Sequence, residues 1–228
     1  MTTPYRTDIP HIPFDPAWLI YEDEELLVVN KPSGLLSVPG RSVHPESNLL
    51  AQIQTHCPDA LIVHRLDMDT SGLMVLAKNK AAHRHLSIQF QDRLTEKHYQ
   101  AICYGHPSQP KGRVQLPMRC DWEKRPLQMI DFRQGKAAAT EWHAKSLGNN
   151  ASLVNLTPIT GRSHQLRLHM KMLGHPILGD NLYADPHSFN MAERLLLHAC
   201  ALSFCHPTHG EKLTFEHKEN LNAYLTGI

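Results

Sequence analysis

The chain has 228 residues, of which 41% are hydrophobic and 20% charged, as expected for a globular protein with one buried core. No apolar run approaches the roughly 18 to 20 residues of a membrane span. Residues 1–16 contain no apolar signal core, so we expect a cytoplasmic protein without a membrane segment. The net charge of +1, with 17 histidines counted as neutral, neither requires nor excludes a nucleic-acid partner.

The first half of the chain predicts short strands and two helices. The predicted elements, in chain order, are two strands around an acidic turn within 18–30, a helix at 48–57 capped by Ser47, strands at 61–63 and 72–78, and a helix from Asn79 to about Arg93. Ala82, Leu86, Phe90 and Leu94 recur at helical spacing and should form the buried stripe of that last helix.

The second half of the chain adds more strands. The predicted elements are a strand at 97–104, loops with short strands over 106–138, a hairpin of 139–146 and 153–157 turning at 148–150, a helix at 161–173, a strand at 195–204 and a helix at 220–225. The helix at 161–173 should bury Leu166, Met170 and Leu173 and end at Gly174. Many strands with few helices between them predict an α+β (mixed α/β) fold, one domain on a mainly antiparallel bent sheet flanked by helices and loops.

Binding features outside any motif are weak. Cys200, Cys205 and His206 lie close in sequence, but a strand there would place the two cysteines on opposite faces, so we predict no metal site. Residues 78–98 and 162–171 are locally basic, which indicates either two solvated helix faces or an RNA-binding surface.

One polar, non-periodic stretch lies between two apolar predicted strands, and it reads His64-Arg65-Leu66-Asp67-Met68-Asp69-Thr70-Ser71-Gly72. Two carboxylates, an arginine and two hydroxyls are more than a tight turn needs, and reactive groups concentrate on loops mounted on a rigid sheet. Residue types alone nevertheless favour a turn in which Asp67 or Asp69 binds local amides and Arg65 pairs with one of them.

This stretch resembles the H-R-L-D-x-x-T-S-G signature of RluA-type pseudouridine synthases. Five further segments resemble motifs of that family and follow the family's order. They are residues 28–34, 97–101, 159–167, 174–180 and 196–199. The resemblance extends over about residues 18–217, and it implies that the chain converts selected uridines in structured RNA to pseudouridine without a cofactor.

The resemblance also implies a domain organisation and a substrate. It implies a pseudouridine synthase catalytic domain at 18–228, an N-terminal extension at 1–17, and no S4-type RNA-binding domain in front. Residues 37–41 and 120–122 are similar to those of the members that modify both a 23S rRNA loop and the tRNA anticodon stem-loop. We therefore expect both RNAs as partners and a monomeric enzyme, with action on one RNA class as the alternative.

The reaction breaks the bond between uracil and ribose, turns the base and rejoins it through carbon, which requires a carboxylate beside the sugar. The resemblance assigns this role to Asp67, either as nucleophile at C1′ or as base for the C2′ proton. Asp69 occupies a variable position of the motif and is interpreted as turn structure.

Two further residues match catalytic positions of the family. Arg167 matches the arginine that pairs with the catalytic aspartate, and a nearby cation would keep a desolvated carboxylate ionised. A solvent-facing helix charge or a phosphate contact is the alternative. Tyr99 matches the tyrosine that stacks on the target base and whose phenol can help to remove the C5 proton. A core tyrosine of the strand is the alternative.

Three residues are candidates for RNA contacts. Arg65 matches the residue that fills the space left by the everted nucleotide, which offsets part of the few kcal/mol that base flipping costs. Arg162 is expected at an RNA phosphate or in local loop contacts. Lys31 either lies near the RNA or holds a loop. His64 and His164 are expected to brace loops by hydrogen bonding.

Two other functional classes use the same residues differently. A non-catalytic RNA-binding module would have binding as its only activity. A metal-dependent or nucleophilic hydrolase is disfavoured, because the sequence lacks the H-E-x-x-H, G-x-S-x-G and Walker A patterns. We therefore predict an isomerase with no cofactor and no metal.

Overall fold

The computed structural model describes residues 12–40 and 47–226. Residues 1–11 of the predicted N-terminal extension and Arg41 of the 37–41 segment lie outside the described residues. The fold is mixed α+β with a large, mostly antiparallel sheet and few helices, which confirms the predicted class. Within 12–40 and 47–226, no helix is long and apolar enough to cross a membrane.

Twelve strands and four α-helices make up the regular structure of the described residues. The strands are β1 (Leu19–Glu22), β2 (Leu26–Lys31), β3 (Leu61–Ile62), β4 (Ser71–Ala77), β5 (Glu96–Tyr104), β6 (Lys111–Gln115), β7 (Met118–Cys120), β8 (Gln128–Ile130), β9 (Ala139–Gly148), β10 (Ala151–Pro158), β11 (Leu197–Cys205) and β12 (Lys212–Glu216). The helices are α1 (Leu49–His56), α2 (Lys80–Gln91), α3 (Gln165–Met172) and α4 (Pro186–Asn190), with 3₁₀ turns at Pro16–Trp18 and Leu221–Tyr224.

Contacts between residues divide the chain into two compact units. The first unit comprises Met1–Lys97 and Ala199–Lys218, and the second comprises His98–His198 and Glu219–Ile228. The chain thus passes from one unit to the other within β5, within β11 and again after β12.

The first unit is built around β4, whose seven residues are all buried. β4 pairs antiparallel with β2 and β3, and β11 pairs antiparallel with β12. Asn79 caps α2 as predicted, since its side chain accepts a backbone N–H of the first turn at 2.9 Å. Ala82 and Leu86 of α2 then pack on the apolar cluster formed by these strands.

Two predicted details of the first unit are wrong. The cap of α1 is Asn48 and not Ser47, because Asn48 has the extended backbone and its side chain accepts an N–H of the first turn at 3.1 Å. Leu94 is 65% exposed rather than buried. α2 ends before it, and Arg93 takes a left-handed backbone with φ +60°, so the apolar repeat continues in the sequence after the helix has stopped.

The second unit contains the strand order β5-β10-β9-β6, with antiparallel pairs throughout. The predicted hairpin of β9 and β10 is confirmed. Its turn is Asn149-Asn150, both with positive φ (48° and 53°), which is the backbone that a tight two-residue hairpin turn requires. Ile102, Val154 and Met170 are fully buried in the apolar cluster between these strands and α3.

α3 begins four residues later than the sequence predicted. The expected start was Gly161, but the helix starts at Gln165. His164 takes a left-handed backbone (φ +54°), which a right-handed helix does not include. Residues 161–164 are therefore a turn that leads into the helix.

The end of α3 follows the prediction. Leu166 and Met170 are buried, and Leu173 packs half-buried on the same cluster. Gly174 has φ +84°, and the N–H groups of residues 174 and 175 donate to the carbonyls of Lys171 and Met170, which is a Schellman motif.

Two late elements differ from the prediction. The helix expected over 220–225 is only the 3₁₀ turn at Leu221–Tyr224, in which Leu221 is the one fully buried residue. A six-residue segment can form few intrahelical hydrogen bonds, so its backbone follows the packing of Leu221, Tyr224 and Leu225 on the apolar cluster of this unit. The strand expected over 195–204 is β11, which begins at Leu197.

Candidate active site

The polar stretch between β3 and β4 is an ordered loop of residues 63–70, called the motif loop. It closes in a turn in which the N–H of Thr70 donates to the carbonyl of Asp67 at 3.2 Å. Leu66 and Thr70 are buried, Asp67 is half-buried and Arg65 is exposed. Buried neighbours anchor the backbone while Asp67 stays partly exposed, which suits a residue that reacts with a bound ligand.

The motif loop is held by the segment that follows β2. Ser37 donates its hydroxyl to the carbonyl of Leu66 (2.7 Å) and accepts the N–H of the same residue (3.1 Å). The N–H of Gly34 and the hydroxyl of Ser33 donate to the two carbonyls that follow Asp67, at 3.0 and 2.7 Å. Because the backbone is bound on both sides of Asp67, its position is set by two segments of the chain rather than by one turn.

Lys31 is fully buried beneath the same loop. Its ammonium donates to the carbonyls of Pro32 (2.8 Å), Leu35 (2.7 Å) and Met68 (2.9 Å). A buried ammonium is tolerated only when its protons are bound, and these three carbonyls match its three donors. Of the two predicted roles, the geometry favours loop holding over contact with RNA.

His64, the first residue of the motif, braces the loop as predicted. Its Nε2 accepts the N–H of Val75 at 3.1 Å, and its ring stacks on Phe90 with centroids 4.3 Å apart. Burial, with a smaller effect from the charge of Lys97, lowers the pKa of His64 from 6.5 to about 3. The ring is therefore a neutral hydrogen-bond acceptor at neutral pH.

We expect His64 to make the protein less stable in acid. The folded pKa lies below the unfolded one, so the contribution is complete above pH 6.5 and is lost as the pH falls toward 3. In His64→Gln, the amide oxygen can still accept the Val75 N–H. Between pH 6 and 4 the free energy of unfolding of this variant should fall less steeply than that of wild type, and the two slopes should differ by up to about 1.4 kcal/mol per pH unit. Urea unfolding of both proteins at pH 7, 6, 5 and 4 measures this. Parallel pH dependences would contradict it.

Gly72 ends the motif at the start of β4. It has φ +120°, and a Cβ there would lie 2.4 Å from the carbonyl oxygen of Ala199. Glycine therefore serves two needs at this position, an unusual backbone and a close approach of β4 to β11.

In the second unit, Tyr99 lies on β5 opposite Leu156 of β10. Its ring is half-buried and packs against the apolar cluster of this unit. A ring that is partly packed and partly accessible suits both predicted roles, a stacking surface and a core tyrosine.

A buried glutamine organises the turn that precedes α3. The Gln165 amide oxygen accepts from the Thr160 hydroxyl (2.7 Å) and from the N–H of Arg162 (3.1 Å). Its amide nitrogen donates to two groups at the start of β9, at 2.9 and 3.0 Å. The Arg162 side chain reaches the carbonyl of Ala137 at 3.4 Å, which is the local loop contact among its predicted roles.

Arg167 on α3 is buried and forms a two-pronged ion pair with the buried Asp180. Nε donates to Oδ2 at 2.9 Å and Nη2 to Oδ1 at 2.6 Å, and Nη2 also donates to the side chain of Asn181 at 3.0 Å. The guanidinium lies 5.4 Å from the centre of the Tyr183 ring. The alternative of a solvent-facing helix charge is therefore wrong, because the charge of Arg167 is buried.

The predicted site residues belong to both units. Lys31, Arg65 and Asp67 are in the first, and Tyr99, Arg162 and Arg167 are in the second. The structure brings Lys31 to the loop that carries Asp67, and it places Arg162 and Arg167 on either side of the start of α3. The pairing of Asp67 with Arg167 stays a prediction.

Sequence reasoning missed three residues that hold these groups. Asp180 and Gln165 fell inside recognised motifs but were given no role, and Ser37 was noted only as part of a loop. An acid in the mainly apolar stretch around 177–183 was the available signal for a buried ion pair. The side-chain hydrogen bonds of Ser37 and those from Gln165 to β9 join residues that are distant in the sequence, and no local sequence pattern predicts them.

Comparison with known proteins agrees with the motifs. The profile of the family RNA pseudouridylate synthase matches residues 25–172. The dual-specificity RNA pseudouridine synthase RluA of Escherichia coli (strain K12) is 51% identical over 202 residues, which cover 87% of this chain and 92% of that protein. The protein of the same name from Haemophilus influenzae is 51% identical over 203 residues, or 89% and 93% of the two chains.

Solved structures show the same relationship. The structure of human RNA pseudouridylate synthase domain containing 1 has a TM-score of 0.73 at 30% identity and covers 88% of this chain and 82% of its own. That of human RNA pseudouridylate synthase domain containing 4 has a TM-score of 0.69 at 28% identity, with 88% and 87% covered.

The α+β fold and the anchored carboxylate loop, taken with these matches, define an RNA-modifying isomerase. The chain belongs to the RNA pseudouridylate synthase family, which confirms the resemblance inferred from its motifs. It converts uridine to pseudouridine in RNA.

Proposed function

We propose that this enzyme modifies both a loop of 23S rRNA and the tRNA anticodon stem-loop, as a monomer in the cytoplasm and without a cofactor. Support comes from two relatives named dual-specificity enzymes that are 51% identical over most of the chain. We also propose that residues 18–228 act as one catalytic domain, since the family profile extends over parts of both units.

The observation that carries the proposed mechanism is the anchoring of the backbone on both sides of Asp67. Asp67 is half-buried, on a loop fixed by Ser33, Gly34 and Ser37. A reactive group held in this way needs little reorganisation when the substrate binds, and such positioning contributes strongly to catalysis.

In the proposed reaction, Asp67 acts on the ribose of an everted uridine. As a nucleophile it bonds to C1′ and displaces uracil, and as a base it takes the C2′ proton while uracil leaves. The uracil then turns so that C5 bonds to C1′. In the first route this displaces the carboxylate from C1′, and in the second the Asp67 carboxyl returns its proton to C2′. Loss of the C5 proton, assisted by the phenol of Tyr99, completes pseudouridine.

The arginines have supporting roles in this proposal. Arg167 keeps the Asp67 carboxylate ionised, Arg65 occupies the gap left by the everted nucleotide, and Arg162 contacts an RNA phosphate. The exposure of Arg65 is consistent with contact to a large ligand. Lys31 acts indirectly, by fixing the carbonyl that follows Asp67.

Mapping pseudouridine in total RNA from cells with and without the gene tests the substrate proposal. We expect deletion to remove the modification at one anticodon-loop site of tRNA and at one loop of 23S rRNA. Loss at only one of the two would narrow the specificity to that RNA. If neither site loses its modification, the dual-substrate proposal is wrong.

Purified enzyme should retain full activity on both RNAs in the presence of a metal chelator.

A further inference from the structure

The hairpin of β7 and β8 exposes aromatic side chains in the second unit. This segment, residues 118–136, is called the basic hairpin. Trp122 is 64% exposed and Phe132 is 77% exposed, which places them among the three most exposed large apolar side chains of the described residues. Neither ring contributes much buried area to the fold, and exposed aromatic surface of this kind marks interaction sites.

The charge around these rings has the sign that attracts a polyanion. The basic hairpin contains five basic and three acidic side chains, a net charge of +2 in 19 residues against +1 for the whole chain. Lys124, Arg125 and Arg133 are exposed. A local excess of this kind favours phosphates and raises the rate of encounter with RNA.

The Trp122 ring is arranged for stacking. The guanidinium of Arg125 lies 4.0 Å from the ring centre, so a cation already covers one part of the indole while most of the side chain stays open. An open hollow of about 310 Å³ adjoins it, lined also by Arg119, Asp121, Glu123, Lys124 and Met129. Small-molecule sites have volumes from about 300 Å³ upward, so the hollow has room for one nucleotide.

The basic hairpin is held in shape by its own ion pair. Arg119 donates to the carboxylate of Asp131, which also accepts the N–H groups of Arg133 (2.8 Å) and Gln134 (2.9 Å). The Arg119 guanidinium lowers the pKa of Asp131 to about 2, so the pair stays ionised at neutral pH. An ordered surface loses less conformational entropy on binding than a flexible one.

The basic hairpin is also tied to the helix that carries Arg167. The N–H of Gln128 donates to the Tyr183 hydroxyl at 2.8 Å, and that hydroxyl is 2.8 Å from Nδ1 of His164, immediately before α3. Met118, Leu168 and Tyr183 share a buried cluster. An RNA segment bound on the basic hairpin is thereby positioned relative to α3.

We propose that the basic hairpin binds an unpaired nucleobase of the substrate RNA, which stacks on the open surface of Trp122, while Lys124 contacts a phosphate of that nucleotide. This deepens the proposed function and rests only on RNA being the substrate. A protein partner would not require the excess of positive charge, whereas loop RNA is bound through aromatic stacking and cationic contacts.

Measuring the equilibrium binding of two RNAs tests the proposed stacking. The first RNA is a stem-loop in which cytidine replaces the target uridine. The second is the same stem as a fully paired duplex. Trp122→Ala should weaken stem-loop binding about 5- to 150-fold, the range for loss of one stacked base, and leave duplex binding unchanged. Trp122→Phe, which keeps an aromatic face, should retain most of the affinity. Lys124→Gln should weaken binding of the stem-loop more than binding of the duplex, and it should lower the salt slope for the stem-loop by about one.

Equal affinity of wild type and Trp122→Ala for the stem-loop would overturn the proposal, as would equal losses on stem-loop and duplex. Trp122→Phe as weak as Trp122→Ala would point to a packing role and also overturn it. Thermal unfolding of each variant should match wild type, because Trp122 is exposed. Since the assay measures binding alone, its outcome is independent of whether Asp67 is the catalytic group or which uridines are modified.

Discussion

Asp67→Asn is expected to abolish pseudouridine formation and leave RNA binding intact. An amide is neither a nucleophile at C1′ nor a base for the C2′ proton, so the rate should fall by a factor on the order of 10⁴ or more, as when a covalent-catalysis group is removed. The loop should survive, because the bonds that Ser33, Gly34 and Ser37 make go to backbone atoms. Single-turnover release of tritium from C5-labelled uridine measures the rate of pseudouridine formation. Equilibrium binding of the same RNA measures whether affinity is retained.

Asp69→Asn is the matched control in the same motif loop. The atom of Asp69 that receives a bond from Ser33 is its backbone carbonyl, which the substitution keeps. We expect the rate to stay close to wild type and the stability to change by less than about 0.5 kcal/mol. If Asp69→Asn is inactive while Asp67→Asn is active, the roles of the two carboxylates are reversed. If both are active, neither is the catalytic group.

Features set by a few neighbouring residues could be predicted from the sequence. Asn79 and Gly174 were assigned correctly as caps, because a side-chain acceptor before a helix and a left-handed glycine after it act within one turn. Ser47 and Asn48 are both competent caps, and the choice between them depends on backbone angles that composition does not reveal. The periodic pattern also continued to Leu94 although Arg93 had already ended the helix.

Long-range bonds could not be predicted in the same way. The first turn of the helix predicted at Gly161 is displaced by the four hydrogen bonds of the Gln165 side chain, two of which reach β9. The resemblance to a family named Asp67 and Arg167, but Lys31 and Asp180 acquire their roles through partners that only the fold brings close. Burial of an ion or of a polar network is decided by tertiary contacts, and residue types leave it open.

The buried ion pair of Arg167 and Asp180 is expected to contribute strongly to the stability of the fold. Removing one partner, in Arg167→Met or in Asp180→Asn, leaves the other charge of the pair in the interior, and we expect the free energy of unfolding to fall by about 3–5 kcal/mol in either variant. Urea unfolding at neutral pH measures this. The double variant R167M/D180N removes both charges, and its asparagine oxygen can still accept the backbone N–H groups of Leu182 and Tyr183 that Asp180 binds. It should recover much of the lost stability.

Activity separates a structural role of Arg167 from a catalytic one. A protein in which neutral residues replace a buried ion pair is often as stable as the protein with the pair. A gain in stability therefore does not explain why a charged residue is buried at position 167. If Arg167 only supports the fold, the double variant R167M/D180N should be active, because its fold is restored. We expect it to be folded and inactive, whereas Asp180→Asn, assayed well below its melting temperature, keeps most of its activity. Arg167→Lys retains the charge without the two-pronged geometry, so we expect it to keep more activity than Arg167→Met but less than wild type. An active double variant would confine Arg167 to the fold.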